Sequence, residues 1–272
     1  MPNDGGYFLL DDEEKQTLIN EEPQSIKFIR PLLSAHEFLN GHKRWCIWLK
    51  GIPPNEIRNY KTISERVNSV KTLRENSNRE ATKRLSKFPT LFGEIRQPNT
   101  EYILVPRHSS ENRAYIPMGF FSPDFIASDS CLFIANAKMY HFGIMTSLMH
   151  MAWVKTTCGR IKSDFRYSNE MVYNNFPWPE NPNEKQVQTV ETAAQNVLDA
   201  RAQFPDASLA DLYDPNTMPP VLVKAHQALD KAVDLAYRPQ PFTSEANRMV
   251  FLFELYEKYT ADLFTKEKVK KK

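Results

Sequence analysis

Apolar residues in the first hundred positions recur with two different periods. In the segment "KRWCIWLKG" (43–51), Trp45, Ile47 and Leu49 occupy alternate positions, which predicts a strand, and a short apolar strand is expected over Tyr7–Leu10. From 56 to 87 the chain contains neither Gly nor Pro and repeats apolar residues at helical spacing. We therefore expect a helix near 11–22 and one long helix over 56–87, with Asn76–Asn78 as the place where it could break.

The middle of the chain changes to a strand-rich pattern. Between 101 and 135, short runs of β-branched and aromatic residues are separated by Pro, Ser, Asn and Gly, which predicts several short strands. Residues 139–157 are typical of a buried, Met-rich helix, and Gly159 is a suitable residue just after its end. The segment "GRIKSDFRYS" (159–168) then alternates polar with mostly apolar positions, which predicts one strand with a polar face.

Composition changes again after Pro177 and Pro179. Three amphipathic stretches follow, joined by Pro-rich turns, and they predict a small helical bundle that ends in the basic tail "KVKKK". The expected fold class is α+β: a mixed domain over 1–179 with short strands around buried helices, a helical domain over 180–265, and a tail over 266–272.

The overall composition is that of a folded chain without a strong charge. Hydrophobic residues make up 41% of the 272 residues, and the net charge is only +2, so any attraction to nucleic acid depends on where the charges lie. Cys46, Cys131 and Cys158 are far apart and lack metal-ligand spacing, which favours reduced, buried thiols. No signal peptide or membrane span is indicated, so we expect a cytoplasmic protein with no membrane partner.

Signatures of catalysis are missing from the sequence. There is no G-x-G-x-x-G, P-loop, H-E-x-x-H or G-x-S-x-G motif, and nothing matches the D/N-P-P-Y/F/W tetrapeptide of amino-methyltransferases. Pro123-Asp124 has no D/E-x-K close behind it, which disfavours a nuclease metal site. We therefore predict no catalytic residue and no metal site in this chain.

Binding chemistry remains, and it has two candidate elements. Segment 56–87 holds nine basic and four acidic residues, so it could lie along phosphates, with Lys71 and Arg74 as contacts; the alternative is a solvated helix face. On a strand over 160–168, alternate side chains would project to one side about 6.5–7 Å apart. Such a row can meet base edges, although an exposed polar sheet face would give the same pattern.

Three long segments carry a resemblance to a known family. They are "GRIKSDFRYSNEMVYNNFPWPE" (159–180), "CLFIANAKMYHFGIMTSLMHMAWV" (131–154) and "VLDARAQFPDASLADLYDPNTMPPVLVKAHQALDKAVDLAY" (197–237). With them the chain resembles the C-terminal part of MmeI-like DNA methyltransferases of type IIL/IIG restriction-modification systems. The resemblance covers nearly the whole chain and implies a target recognition domain followed by a helical segment, without the catalytic domain.

The resemblance also implies roles for individual residues. Base readout would fall to side chains on the polar strand and on two loops before it: Lys162, Asp164, Arg166, Asp129, Ser130 and Arg107. Apart from the resemblance, the charge and polarity of the residues themselves lead us to expect contacts to the DNA backbone from Lys71, Arg74, Arg160, Ser168 and Asn174. Phe176 and Trp178, in the aromatic segment that follows the strand, are expected in the core.

The implied function is sequence-specific DNA recognition for an adenine-N6 DNA methyltransferase. The partners would be double-stranded DNA and a methyltransferase domain, in the same polypeptide or in a separate subunit, and an endonuclease could be fused to the parent. S-adenosyl-L-methionine would belong to the parent enzyme and no cofactor to this chain. The alternative is a protein-interaction or structural module that reads no bases.

Overall fold

A computed structural model describes the backbone of residues 3–269 and the side chains of residues 3–261. Helices and short strands are mixed along the chain, which confirms the α+β class. The tail predicted over 266–272 lies outside the described side chains. The strands are β1 (Leu9–Leu10), β2 (Ile29–Leu33), β3 (Trp45–Ile47), β4 (Tyr102–Pro106), β5 (His108–Ser109), β6 (Gly119–Phe121), β7 (Ile126–Ala127), β8 (Cys131–Ala135), β9 (Gly159–Ile161) and β10 (Asp164–Arg166).

The helices divide into short ones in the first half and long ones towards the C-terminus. They are α1 (Asp12–Glu21), α2 (Ala35–Asn40), α3 (Pro54–Ile57), α4 (Lys61–Glu75), α5 (Glu80–Leu85), α6 (Met139–Met145), α7 (Leu148–Thr157), α8 (Glu184–Ala202), α9 (Leu209–Leu212), α10 (Pro220–Tyr237) and α11 (Glu245–Val269). A 3₁₀ turn covers Pro23–Phe28 and a π-helical turn covers Asn169–Tyr173.

The chain forms two compact units, and the first consists of Met1–Tyr102 and Phe121–Cys131. Its sheet has the order β1-β3-β2-β7, in which β2 runs antiparallel to β3 and parallel to β7. The strand predicted over Tyr7–Leu10 is present as the shorter β1, and the helix predicted near 11–22 is α1. Buried residues of α4, among them Ile63 and Val70, share one core with the sheet.

The long helix predicted over 56–87 is wrong, because three helices occupy that segment. Between α3 and α4, Tyr60 adopts an extended backbone conformation and packs its ring edge-on against Phe28, with ring centroids 5.0 Å apart. Between α4 and α5, "NSN" (76–78) supplies side chains that compete for backbone hydrogen bonds and favour turns. The second break therefore falls where the sequence suggested it.

The second unit consists of Ile103–Phe120 and Leu132–Lys272. Two three-stranded sheets are built mainly from its residues, with the orders β5-β10-β9 and β6-β4-β8. The single helix predicted over 139–157 is two helices, α6 and α7, because Ser147 caps the N-terminus of α7 by accepting the His150 N–H at 3.4 Å. Gly159 follows the C-cap residue Cys158, at the position predicted for it, but its φ is outside the left-handed region and it begins β9.

Helices α8, α10 and α11 confirm the three predicted amphipathic helices, and they share their core with residues from 103 onwards. Phe142 of α6, Val190 of α8 and Leu229 of α10 are all fully buried in this core. Gly143 lets α6 and α8 approach closely, since a Cβ there would lie 2.7 Å from a methyl group of Val190. The compact units therefore divide the chain differently from the boundary predicted at 179/180.

Two sets of buried polar groups in the second unit are joined by hydrogen bonds. Asp230 accepts hydrogen bonds from the Tyr115 hydroxyl at 2.6 Å and from the Leu148 backbone N–H at 2.7 Å, while burial raises its pKa to about 6. His226 lies within 2.8 Å of the Tyr213 hydroxyl oxygen, and burial lowers the His226 pKa to about 3. The neutral imidazole is therefore the form that the fold favours.

The three cysteines are buried free thiols, as predicted. No helix among the described residues is long and apolar enough to cross a membrane.

Candidate functional site

The polar segment 159–168 folds as a tight hairpin and not as the single strand that its alternation predicts. Strands β9 and β10 are antiparallel, with Asp164 opposite Ile161 and Arg166 opposite Gly159, so Lys162 and Ser163 form a two-residue loop. On its other side β10 pairs with β5, where Arg166 lies opposite His108. Strand β10 is therefore the central strand of this sheet.

The hairpin divides the predicted row of polar side chains between two faces. Arg160 pairs with Phe165, so its side chain lies on the opposite face from Asp164 and Arg166. Its guanidinium stacks on the Phe165 ring at 4.5 Å, donates to the Ser163 carbonyl at 2.7 Å and pairs with Glu111 at 3.4 Å. Arg160 thus covers a buried aromatic ring in this structure, and its predicted backbone contact would require these interactions to loosen.

The other face of the sheet is open, and we call it the outer face: His108, Gly159, Ile161, Asp164 and Arg166. All five residues are exposed, whereas Phe165, between the last two, is buried. The Asp164 carboxylate accepts the Glu111 backbone N–H at 3.3 Å through one oxygen. It also lies near the Arg113 guanidinium. Burial lowers the pKa of Arg113, and the Asp164 charge partly opposes that shift.

Lys162 holds an unfavourable backbone conformation at the tip of this hairpin. Its φ is 54°, in the left-handed region, and the other described non-glycine residues with positive φ are all asparagines. Asparagine tolerates this region, whereas a lysine pays about 1 kcal/mol or more. Strain of this kind is concentrated at functional sites, which fits a role for the Lys162 side chain.

Replacing Lys162 with glycine is expected to stabilise the protein. Glycine adopts positive φ without penalty, so Lys162→Gly should raise the free energy of unfolding by about 0.5–1 kcal/mol in urea titrations. The matched control is Ser163→Gly in the same loop, where φ is not positive and the extra chain entropy should lower stability slightly. If Lys162→Gly lost as much stability as Ser163→Gly, the inferred backbone strain at Lys162 would be wrong.

Arg107 lies in the same unit as the hairpin, in the link between β4 and β5. Its carbonyl accepts the Tyr167 N–H at 2.7 Å, and the side chain is half-buried with no partner found for its Nε among the described residues. The guanidinium thus has a hydrogen-bonding group still to satisfy. This placement is compatible with the base contact predicted for Arg107.

Asp129 and Ser130 belong to the first unit. Asp129 is exposed, whereas the Ser130 hydroxyl accepts the Ala35 N–H at 2.9 Å and lies 2.8 Å from the Ser128 hydroxyl. The three residues of this turn border a cavity of about 360 Å³. Its other lining residues are Asp4, Leu9, Leu32, Ser34, Arg44 and Phe92. Ser130 is therefore already engaged in holding the loop, and Asp129 is the freer side chain of the two.

Arg74 is the clearest departure from the predicted contacts to the DNA backbone. Its side chain is fully buried, and the guanidinium donates to the backbone carbonyls of Asn3 (2.6 Å), Leu85 (3.2 Å), Phe88 (3.0 Å) and Leu91 (2.7 Å). Burial lowers its pKa, and the nearby Asp4 charge partly opposes that shift. Arg74 organises the chain after α4 and cannot present its charge to a phosphate in this arrangement.

The remaining residues predicted to contact the DNA backbone lie at ordinary surface positions. Lys71 is half-exposed and pairs with Glu75 at 3.8 Å, one turn along α4. Ser168 caps the π-helical turn by accepting the Met171 N–H at 3.3 Å, and Asn174 is exposed at the end of that turn. Lys71 and Asn174 are free to meet a phosphate, whereas Ser168 already has a structural role.

The aromatic segment after the hairpin is part of the core, as expected. Phe176 is buried, and the half-buried Trp178 packs against the core. The centroids of the Phe176 and Trp178 rings are 5.5 Å apart. Asn175 donates to the Glu170 carbonyl at 2.6 Å and closes the turn.

Sequence analysis missed three members of the outer face: His108, Gly159 and Ile161. They join Asp164 and Arg166 only through the pairing of β5, β9 and β10, which local periodicity does not specify. The described residues contain no group of three or more His, Cys, Asp or Glu side chains arranged to hold a metal ion.

Comparison with known proteins gives matches over both parts of the chain. Residues 1–180 match the family model described as "MmeI, target recognition domain", and residues 182–264 match "MmeI, C-terminal domain". These two ranges meet near the predicted domain boundary, although neither range tests where an independently folding domain ends.

Two similar proteins are much longer than this chain. DNA methyltransferase A of Bacillus subtilis (strain 168) is 39% identical over 260 residues, which are 96% of this chain and 29% of that protein. The structure of the type IIL restriction-modification enzyme MmeI in complex with DNA is 44% identical, with a TM-score of 0.91 over 96% of this chain and 35% of that one. The chain therefore spans about a third of each relative.

Proposed function

Because this chain belongs to the MmeI family, matching its target recognition and C-terminal domains, we propose that it recognises a specific DNA sequence for an adenine-N6 DNA methyltransferase of a type II restriction-modification system. The observation that carries the proposal is the outer face on the β9–β10 hairpin. This face offers Asp164 and Arg166 to a partner, the loop at the tip of the hairpin adds Lys162, and the Phe165 side chain is buried.

The hairpin has dimensions that suit the major groove of DNA. Its two strands lie about 4.8 Å apart, and a groove about 12 Å wide admits a two-stranded ribbon. The loop at its tip carries Lys162, so this side chain would enter first. Asp164 and Arg166 follow along β10 on the outer face.

Each of these side chains has a matching group on a base edge. Lysine and arginine donate to N7 and O6 of guanine, and a carboxylate accepts from N4 of cytosine. We propose that Lys162, in the loop, and Asp164, which begins β10, address the two bases of one G·C pair, and that Arg166 contacts a neighbouring purine. Arg107 and Asp129 are further proposed readers; Ser130 holds the loop that carries Asp129.

Contacts to the DNA phosphates would come from residues other than the proposed base readers. Lys71 and Asn174 are exposed, so they can meet the DNA backbone without rearrangement, whereas Arg160 and Ser168 would first release internal partners. Such contacts fix the register of a protein on the duplex but carry no sequence information.

Catalysis would belong to a methyltransferase domain, in the same polypeptide or in a separate subunit, that binds S-adenosyl-L-methionine. That domain must take an adenine out of the helix, at a cost of a few kcal/mol. The chain described here would help by gripping the flanking duplex. Its place of action would be the cytoplasm, where the DNA of a bacterial cell lies.

A selection experiment tests this proposal. The purified chain is incubated with a randomised pool of double-stranded oligonucleotides, and the retained duplexes are sequenced over several rounds. We expect enrichment of one short motif, with weaker binding to other sequences that falls steeply with salt. Retention without any enriched motif would refute base readout and leave only non-specific binding to the phosphates, whereas no retention at low salt would support a module that binds only proteins.

A further inference from the structure

The outer face lacks a side chain at one position next to Arg166, where the backbone conformation does not call for glycine. Arg166 is on the central strand β10, with His108 beside it on β5 and Gly159 beside it on β9. All three positions are exposed. Arg166 therefore has a side chain for a neighbour on one side and bare backbone on the other.

Gly159 has no local reason to be glycine. Its φ is outside the left-handed region, and a Cβ built on it would meet nothing closer than the Arg166 carbonyl oxygen at 4.0 Å. A glycine inside a strand lowers stability relative to alanine, and it often marks a place where a ligand approaches the backbone closely. The missing side chain thus points to something outside the chain.

The size of the gap matches one base pair. Neighbouring strands are about 4.8 Å apart, and one base pair occupies about 3.4 Å along the DNA axis. The position left empty on β9 is therefore wide enough for the edge of a single base pair. On the other side of Arg166 the neighbouring position, on β5, carries the His108 side chain.

We propose that Gly159 is a specificity-determining position: its bare backbone forms a floor that receives the major-groove edge of one base pair, and the Arg166 side chain on the central strand forms the wall beside it. This inference rests on the proposed function and deepens it. Arg166 donates to the purine of the pair that lies on this floor, and any side chain at 159 would hold that pair away from the guanidinium.

The test compares Gly159→Ala and Gly159→Val with the unaltered chain. Two probes are used: the duplex that the unaltered chain selects from the randomised pool, and the same duplex with its motif scrambled. Dissociation constants and thermal unfolding are measured for each protein. Gln188→Ala, at an exposed position on α8 in the same unit, is the control variant.

We expect Gly159→Ala to bind the selected duplex at least tenfold more weakly, and Gly159→Val more weakly still. Affinity for the scrambled duplex should change less than twofold, and the melting temperature should not fall, since the strand has room for a methyl group. Unchanged affinity of Gly159→Ala for the selected duplex would overturn this role of Gly159, and so would an equal loss on both duplexes.

Failure of the underlying proposal would look different. If the unaltered chain enriches no motif, base readout itself is refuted before any variant is made, and the role of Gly159 is refuted with it. If the unaltered chain selects a motif and Gly159→Ala binds that motif equally well, only the role of Gly159 is wrong.

Discussion

Replacing Arg74 with methionine is expected to lower the free energy of unfolding by about 3–5 kcal/mol, the largest effect of any single substitution considered. Methionine fills much of the same volume but cannot donate a hydrogen bond. The backbone carbonyls of Asn3, Leu85, Phe88 and Leu91 would each lose a charged donor inside the first unit. Urea titration followed by tryptophan fluorescence measures the change.

The matched control is Lys71→Met, one turn earlier on the same helix. Lys71 is half-exposed and pairs only with Glu75, so its loss should change stability by less than about 0.5 kcal/mol. It should instead weaken DNA binding to all sequences alike and flatten the salt dependence. If Arg74→Met kept full stability and behaved like Lys71→Met on DNA, the buried role of Arg74 would be wrong.

The burial of Arg74 could have been inferred from the sequence. Residues 63, 67, 70 and 74 follow one helical stripe, and Ile63, Val67 and Val70 on that stripe are buried. Arg74 was nevertheless predicted to be an exposed basic residue of segment 56–87, because charged residues are seldom fully buried. The carbonyls that accept its hydrogen bonds belong to Asn3, which is 71 residues earlier, and to Leu85, Phe88 and Leu91, which are 11 to 17 residues later, so only tertiary structure supplies them.

The hairpin was missed for a different physical reason. A two-residue loop reverses the parity of the alternation, so Arg160 and Arg166 lie on opposite faces although both occupy even positions in the sequence. The loop residues Lys162 and Ser163 are not the Asn-Gly or Asp-Gly pairs that usually signal such a turn. The three C-terminal helices were predictable because long amphipathic periods are the strongest local signal. That these helices share one core with residues from 103 onwards could not be predicted in this way, because it depends on contacts between distant parts of the chain.

The second large effect concerns which base pair the hairpin prefers. Lys162 and Asp164 together would meet one G·C pair, with the ammonium on guanine and the carboxylate on the paired cytosine. In the double variant Lys162→Glu with Asp164→Arg, the acceptor and the donor exchange places. A contact of this kind discriminates by about 1–3 kcal/mol, so the preference should change from G·C to C·G by tenfold or more at that one position.

A single-site control separates readout from hairpin integrity. Asp164→Asn keeps an oxygen for the Glu111 N–H, which holds the neighbouring loop, but removes the charge that a cytosine amino group would meet. We expect this variant to lose discrimination at that position without gaining a new preference. Thermal unfolding of Asp164→Asn should remain close to that of the unaltered chain, whereas the double variant, which loses the acceptor for the Glu111 N–H, should melt at a slightly lower temperature.

Selection from one randomised duplex pool, carried out in parallel with the unaltered chain and with Lys162→Glu/Asp164→Arg, tests base readout by the hairpin most directly. Two motifs that are identical except for a reversed base pair at one position are the predicted result. The same motif recovered with both proteins, at reduced yield for the variant, would contradict it and leave the outer face as an exposed polar surface.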